Sequence, residues 1–173
     1  MNGKETAILI VDDDKETGPI TRTFLEACLK TEHNCVIATS AEEAMKLCEA
    51  SFFHLVLTDI QLPKASGLDL CRFIHQTQPN TVVIMISGMT DINYAIEAMR
   101  NGAFDYLVKP VNPKEFISTI ERAIEYQSAL MAKYYCEESL REEVNDLAAI
   151  NERLRSLEQS VQLKRQAAKI QSR

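Results

Sequence analysis

Five short apolar runs constrain this 173-residue chain more than any other feature: TAILIV (6–11), CVIAT (35–39), HLVLT (54–58), TVVIMIS (81–87) and FDYLV (104–108). Each is rich in Val, Ile and Leu with little polar alternation, the pattern of a strand buried on both faces. Each is succeeded by a segment with helical spacing. Thr17 to Lys30 places Ile20, Phe24, Leu25 and Cys28 on one stripe, with Pro19 acceptable in a first turn. Ser40 and Glu43 make a capping box for a second helix reaching about Ser51. Ser66 or Gly67 opens a third, which Pro79-Asn80 closes, and a fourth runs from Asp91 to Asn101 with Gly102 as its left-handed cap. Doubly buried strands need helices on both sides, so the expected class is α/β, a five-stranded parallel sheet with right-handed crossovers.

In such sheets ligands bind at the carboxyl ends of the strands. The residues at the end of each run therefore matter. Asp12-Asp13-Asp14 comes after the first, Asp59 after the third and Lys109-Pro110 after the fifth, while Ser87 ends the fourth. An acid after a buried strand also suits a plain turn, which Pro63 and Gly67 would support. Several carboxylates on one edge, however, would repel one another without a cation. A hard divalent ion with oxygen ligands resolves this: Mg2+ is expected, with Mn2+ as a substitute, since it takes one or two carboxylates and keeps several waters. With the Lys109 ammonium and the Ser87 hydroxyl, the set suits a phosphoryl group, and Asp59 is the expected nucleophile.

Composition removes other classes. The chain is 46% hydrophobic and 25% charged, the balance of a globular protein, and has no apolar run of transmembrane length. MNGKETAILIVDDD lacks the layout of a secretory signal, so a cytoplasmic location without membrane contact is expected. Five cysteines, Cys28, Cys35, Cys48, Cys71 and Cys136, include no C-x-x-C pair and are expected to be reduced, mostly packed thiols. His33, His54 and His75 have no ligand spacing and read as structural. Residues 1–117 hold 10 Lys or Arg against 16 Asp or Glu, whereas 118–173 hold 9 of each. The acidity of the first part argues against a nonspecific grip on nucleic acid.

The motifs ILIVDDD, LVLTDIQLPKASGLDL, VVIMISG and GAFDYLVKPVNP, in this order and spacing, resemble the receiver domain of bacterial two-component response regulators over residues 6 to about 125. The resemblance implies a flavodoxin-like sheet of order 2-1-3-4-5. It implies a phosphoacceptor at Asp59, loaded by a sensor histidine kinase or phosphotransfer protein. Asp12, Asp13 and Asp59, with the backbone carbonyl of Gln61, would hold Mg2+. Ser87, Gly88 and Lys109 would contact the phosphoryl group, and Ser87 with Tyr106 would form the output switch. Phosphoryl oxygens would pull the Ser87 hydroxyl inward and open space into which Tyr106 rotates. Asp14 is expected to be a solvated spectator. Gln61 and Met89 would flank the path of attacking water, and Lys64 reads as loop charge.

After Pro113 no Gly or Pro appears, and the chain to Arg173 is rich in strong helix formers. One helix of this length would run to about 90 Å at 1.5 Å per residue. Leu140, Leu147, Ile150, Leu154, Leu157 and Val161 form an a/d seam, whereas Ile117, Ile120, Ile124, Met131 and Tyr134 form a different one upstream. Lys133, Glu137 and Glu138 lie where the two fail to join, and a stutter is expected there. The expected organisation is a receiver at 1–125 and a helical coiled-coil extension or linker at 126–173, with the favoured reading a coil that pairs two chains as a parallel homodimer. The basic end KRQAAKIQSR reads as a solvated helix terminus. The functional expectation is a phosphorylation-controlled signalling protein whose only catalysis is Mg-dependent self-phosphorylation and self-dephosphorylation. Its rivals are a phosphate-independent adaptor of the same fold and an aspartyl-phosphate hydrolase, for which Gln61 supplies no general acid.

Overall fold

The computed structural model describes residues 6–29 and 33–171. Ten elements alternate along the chain: β1 (Thr6–Val11), α1 (Thr17–Cys28), β2 (His33–Ala38), α2 (Ala41–Ala50), β3 (Leu55–Thr58), α3 (Gly67–Thr77), β4 (Val82–Ser87), α4 (Ile92–Arg100), β5 (Asp105–Val108) and α5 (Pro113–Gln171). The strands pair in parallel in the order β2-β1-β3-β4-β5, the expected doubly wound sheet. β2 starts two residues before the expected Cys35 because His33 and Asn34, polar in sequence, continue the ladder opposite Thr6 and Ala7. Lys30, the Cys28 side chain, and the Lys169 and Arg173 side chains lie outside the described residues.

Alternation along the strands divides the core into two layers. Leu9, Val11, Val56, Val83 and Met85 face α2, α3 and α4, meeting Ala44, Leu70, Ile74 and Ala98. Ile8, Ile10, Leu57, Ile84 and Ile86 face α1 and α5, meeting Leu25, Phe116, Ile120 and Ala123. Each fully buried Leu or Ile contributes about 1.5–3 kcal/mol relative to exposure.

The sheet-facing stripe of α5 is Phe116, Ile120, Ala123 and Gln127, all buried, while Ile117 and Ile124 are half-buried. Only Ile120 of the expected upstream seam is fully buried, because a sequence scan for large apolar residues passes over an alanine and a glutamine. Ser66 and Asp69 form a complete capping box on α3. At α2 the Ser40 hydroxyl accepts from the Glu43 N–H as expected, but the Glu43 carboxylate reaches the Thr39 N–H rather than that of Ser40. Gly102 has φ 94°, the left-handed cap anticipated after α4.

The chain forms two compact units, Met1–Leu130 and Met131–Arg173. The second is helical throughout its described length, and Leu140, Leu147, Ile150 and Leu154 within it are exposed. Among the described residues no helix is long and apolar enough to cross a membrane. Cys35, Cys48 and Cys71 are buried free thiols and Cys136 is exposed. Burial pushes the Cys48 and Cys71 thiols up to about 11, leaving them inert.

Candidate functional site

Strand register assembles the site. Val11 lies opposite Thr58, so the next residue of each strand, Asp12 and Asp59, emerges at the same edge. The ladder runs one step beyond the strands: the Asp59 N–H donates to Val11 O (3.0 Å), and the Lys109 N–H donates to Ser87 O (2.8 Å). The Lys109–Pro110 peptide is cis. Four residues distant in sequence are thereby held by backbone hydrogen bonds rather than by flexible loops.

Their side chains meet. Lys109 Nζ donates to Asp12 Oδ2 at 2.8 Å and to Asp59 Oδ2 at 2.7 Å. The other carboxylate oxygen, Asp59 Oδ1, accepts from Ser87 Oγ at 2.8 Å and from the Gln61 N–H at 3.0 Å. Asp12, Asp59 and Ser87 are 6%, 9% and 0% exposed, so these bonds operate where water screens little. Burial alone would depress the Lys109 ammonium, but hydrogen bonds and charge attraction from Asp12 and Asp59 outweigh it and raise its pKa above the ordinary value.

Asp13 and Gln61 are exposed, and Gly88 borders open space, with nothing within 4 Å of where a Cβ would stand. Among the described residues no three acids or other ligating side chains are gathered closely enough to hold a metal as they stand. The donor set nevertheless fits a hard cation: two carboxylate oxygens converge on one positive group, every donor is oxygen, and Mg2+ fills its remaining positions with water.

Tyr106 is half-buried, and its hydroxyl donates to the Met89 carbonyl at 2.6 Å. Burial raises its pKa. The Ser87 hydroxyl already rests on Asp59, so the inward position expected only with a phosphoryl group is occupied here. Asp14 is exposed as expected, and its carboxylate has a local role outside the cluster. Its Oδ1 accepts from the Glu16 N–H (2.9 Å) and its Oδ2 from Thr17 Oγ1 (2.8 Å), which orders the entry to α1, where Glu16 offers no side-chain cap. Those backbone and hydroxyl donors lower its pKa. An acid three residues before a helix start is the signal that could have disclosed this.

Beside the acidic pocket lies an apolar groove of about 360 Å³ between α1 and the β5–α5 loop, lined by Ile20, Phe24, Pro110, Val111 and Phe116 among others. Thr17, Thr21, Ile86 and Lys109 line both it and the pocket.

Three kinds of likeness bear on this geometry. Residues 8–121 match the family described as Response regulator receiver domain. The chain is 42% identical over 105 residues to the response regulator protein PilR of Pseudomonas aeruginosa, covering 60% of this chain and 23% of that protein. It is 30% identical over 145 residues to the phosphoglycerate transport system transcriptional regulatory protein PgtA of Salmonella typhimurium, covering 83% and 34%. It thus spans only about a quarter to a third of these relatives' lengths. Among solved structures, a CheY-like receiver domain protein from Methanospirillum hungatei is 32% identical with a TM-score of 0.66, covering 73% of this chain and 98% of that one. A receiver domain protein from Clostridium thermocellum is 31% identical with a TM-score of 0.65, covering 72% and 98%. With a matching sequence profile, a matching fold and the acids, hydroxyl and lysine at the strand ends, this chain belongs to the response regulator receiver family of two-component systems.

Proposed function

We propose that Asp59 accepts a phosphoryl group from a sensor histidine kinase or phosphotransfer protein, and that the change is relayed through α5 to a dimerising helix. The observation that carries this reading is the bracketing of one buried strand-end carboxylate by an ammonium on Oδ2 and a hydroxyl on Oδ1. An Asp59 oxygen attacks phosphorus as the P–N bond of the donor's phosphohistidine breaks, and the imidazole leaves with its electron pair. Lys109, Ser87 and the open backbone at Gly88 receive the phosphoryl oxygens. Asp12 and Asp13, with Asp59 and the Gln61 carbonyl, would hold Mg2+. When bound, the ion would supply positive charge that offsets the negative charge of the carboxylates and the phosphoryl group. Ser87 and Tyr106 form the switch, Tyr106 reporting through its bond to the Met89 carbonyl.

The protein donor docks in the apolar groove, since that groove shares four lining residues with the pocket and a donor histidine must come within bonding distance of Asp59. Output runs from a receiver at residues 1–125 into the extension at 126–173. There the exposed stripe Leu140, Leu147, Ile150, Leu154, Leu157 and Val161 pairs with a second copy in parallel. In that alignment Arg153 faces Glu158 of the other copy across the g and e positions, and no like charges oppose there.

The test is incubation with acetyl phosphate and Mg2+ followed by intact mass measurement. Wild type should gain one phosphoryl group and Asp59→Asn none; no gain in either would leave a phosphate-independent docking module, and equal gain would move the acceptor to another residue. For the dimer, sedimentation should show two chains per particle, and a monomer throughout the measured range would reject the pairing.

A further inference from the structure

The loop between β3 and α3 carries the Gln61 carbonyl, and its ends are tightly held. The Gly67 N–H donates to Ile60 O at 3.0 Å, and a Cβ on Gly67 would stand 1.9 Å from the Asp59 carbonyl oxygen, so glycine alone closes it. At its start the Gln61 N–H reaches back to Asp59 Oδ1 at 3.0 Å. Its middle is less favourable. Lys64 adopts φ 68°, a left-handed conformation that a side chain with a Cβ resists. A backbone kept there needs an outside hold.

That hold comes from another element: Glu42, in the first turn of α2, accepts from the Ala65 N–H at 3.1 Å across 23 residues of sequence. The Lys64 ammonium adds charge attraction to the same carboxylate. Glu43 makes the helix-entry bonds to Thr39, while Glu42, held at the same turn by its own N–H and by Ser40, extends across to the loop.

We propose that Glu42 is a positioning residue for the phosphoacceptor site, fixing the loop whose Gln61 carbonyl completes the divalent-cation shell. This role rests on the cation-binding reading of the Asp59 pocket. Glu42 touches neither cation nor phosphoryl group; it sets the place of an atom that does. Its removal should therefore weaken cation binding without slowing transfer once the cation is saturating. Outer partners of this kind change metal affinity by about 10-fold or more when lost.

The experiment is calorimetric titration of the full chain with Mg2+, paired with acetyl phosphate labelling at saturating Mg2+. Glu42→Ala should bind Mg2+ about 10-fold more weakly while its saturated labelling rate stays within about 2-fold of wild type. Glu42→Gln, which keeps an acceptor oxygen, should recover most of the affinity. Should Glu42→Ala melt near the assay temperature, Glu42→Asp, one methylene too short to reach Ala65, is expected to weaken binding likewise. Wild-type affinity in a folded Ala or Asp variant would overturn the proposal, as would a Gln variant no better than Ala. A wild-type protein that itself binds no Mg2+ would instead sink the cation site on which the proposal stands.

Discussion

Two isoleucines on one helix separate the halves of this molecule. Ile120 of α5 lies in the first unit and is 1% exposed; Ile150, thirty residues on, lies in the second and is 56% exposed. Their helical environments are alike, so propensity makes both segments helical but buries only one. The first has a sheet to pack on, through Ile8, Ile84 and Leu107 among others. The second has no such layer within its own unit, and a stripe so exposed gains little stability until another surface covers it. Charges divide in the same way. Lys109 bonds two buried acids, whereas Lys133 and Glu137 stand 3.8 Å apart with side chains 71% and 66% exposed. Screening leaves the exposed pair almost nothing to contribute.

The sharpest way to break this comparison is to truncate both isoleucines. Ile120→Ala should cost about 3–4 kcal/mol of unfolding free energy in the first unit. Ile150→Ala in dilute solution should change that unit's stability by less than about 0.5 kcal/mol. The second substitution should instead weaken self-association, measured by sedimentation; equal stability losses in the two variants would erase the distinction. Next in size is Ile20, an apolar residue of the first unit that is 66% exposed on the groove. If it awaits a partner as the helical stripe does, Ile20→Glu should slow transfer from a phosphorylated protein donor by about 10-fold, the loss of a single anchor. Labelling by acetyl phosphate should be unchanged, and a parallel drop in both rates would assign Ile20 to folding instead.

The buried charges give a smaller, pH-dependent effect. Lys109 is raised above its unfolded value of 10.5, so its contribution is fully present below about pH 10.5 and fades as pH rises through the folded value. Urea melts should show wild type losing stability more steeply than Lys109→Met above that pH; parallel slopes would contradict the coupling. Lys133→Met, on the exposed pair, should leave the slope unaltered. Smallest is Lys64→Gly. Relief of the left-handed backbone outweighs the added chain entropy, and the first unit should gain about 0.5 kcal/mol. A loss would mean that the lysine side chain holds the loop more strongly than its backbone strains it.

Much of the site was legible because its residues stand directly after uninterrupted apolar runs. A strand that ends in ILIV or LVLT announces where its carboxyl end lies, and the next residue needs no further clue. Asp12, Asp59, Ser87 and Lys109 were found this way. Glu42 and Asp14 were not, since each acts on a backbone N–H, a partner with no side-chain identity to read. Ala123 and Gln127 were passed over because small and polar residues carry no apolar signal, yet the α5 interface buries them.

The sequence by itself determined the alternation of strands and helices and the strand ends at which the acids, hydroxyl and lysine stand, all local or periodic properties. Only the tertiary structure decided that Lys109 joins Asp12 to Asp59, that Ser87 bonds Asp59 and that Glu42 reaches the β3–α3 loop. Those contacts span 97, 50, 28 and 23 residues. Periodicity says which face a residue takes; register and helix packing say what stands opposite it, and that depends on the whole sheet closing at once.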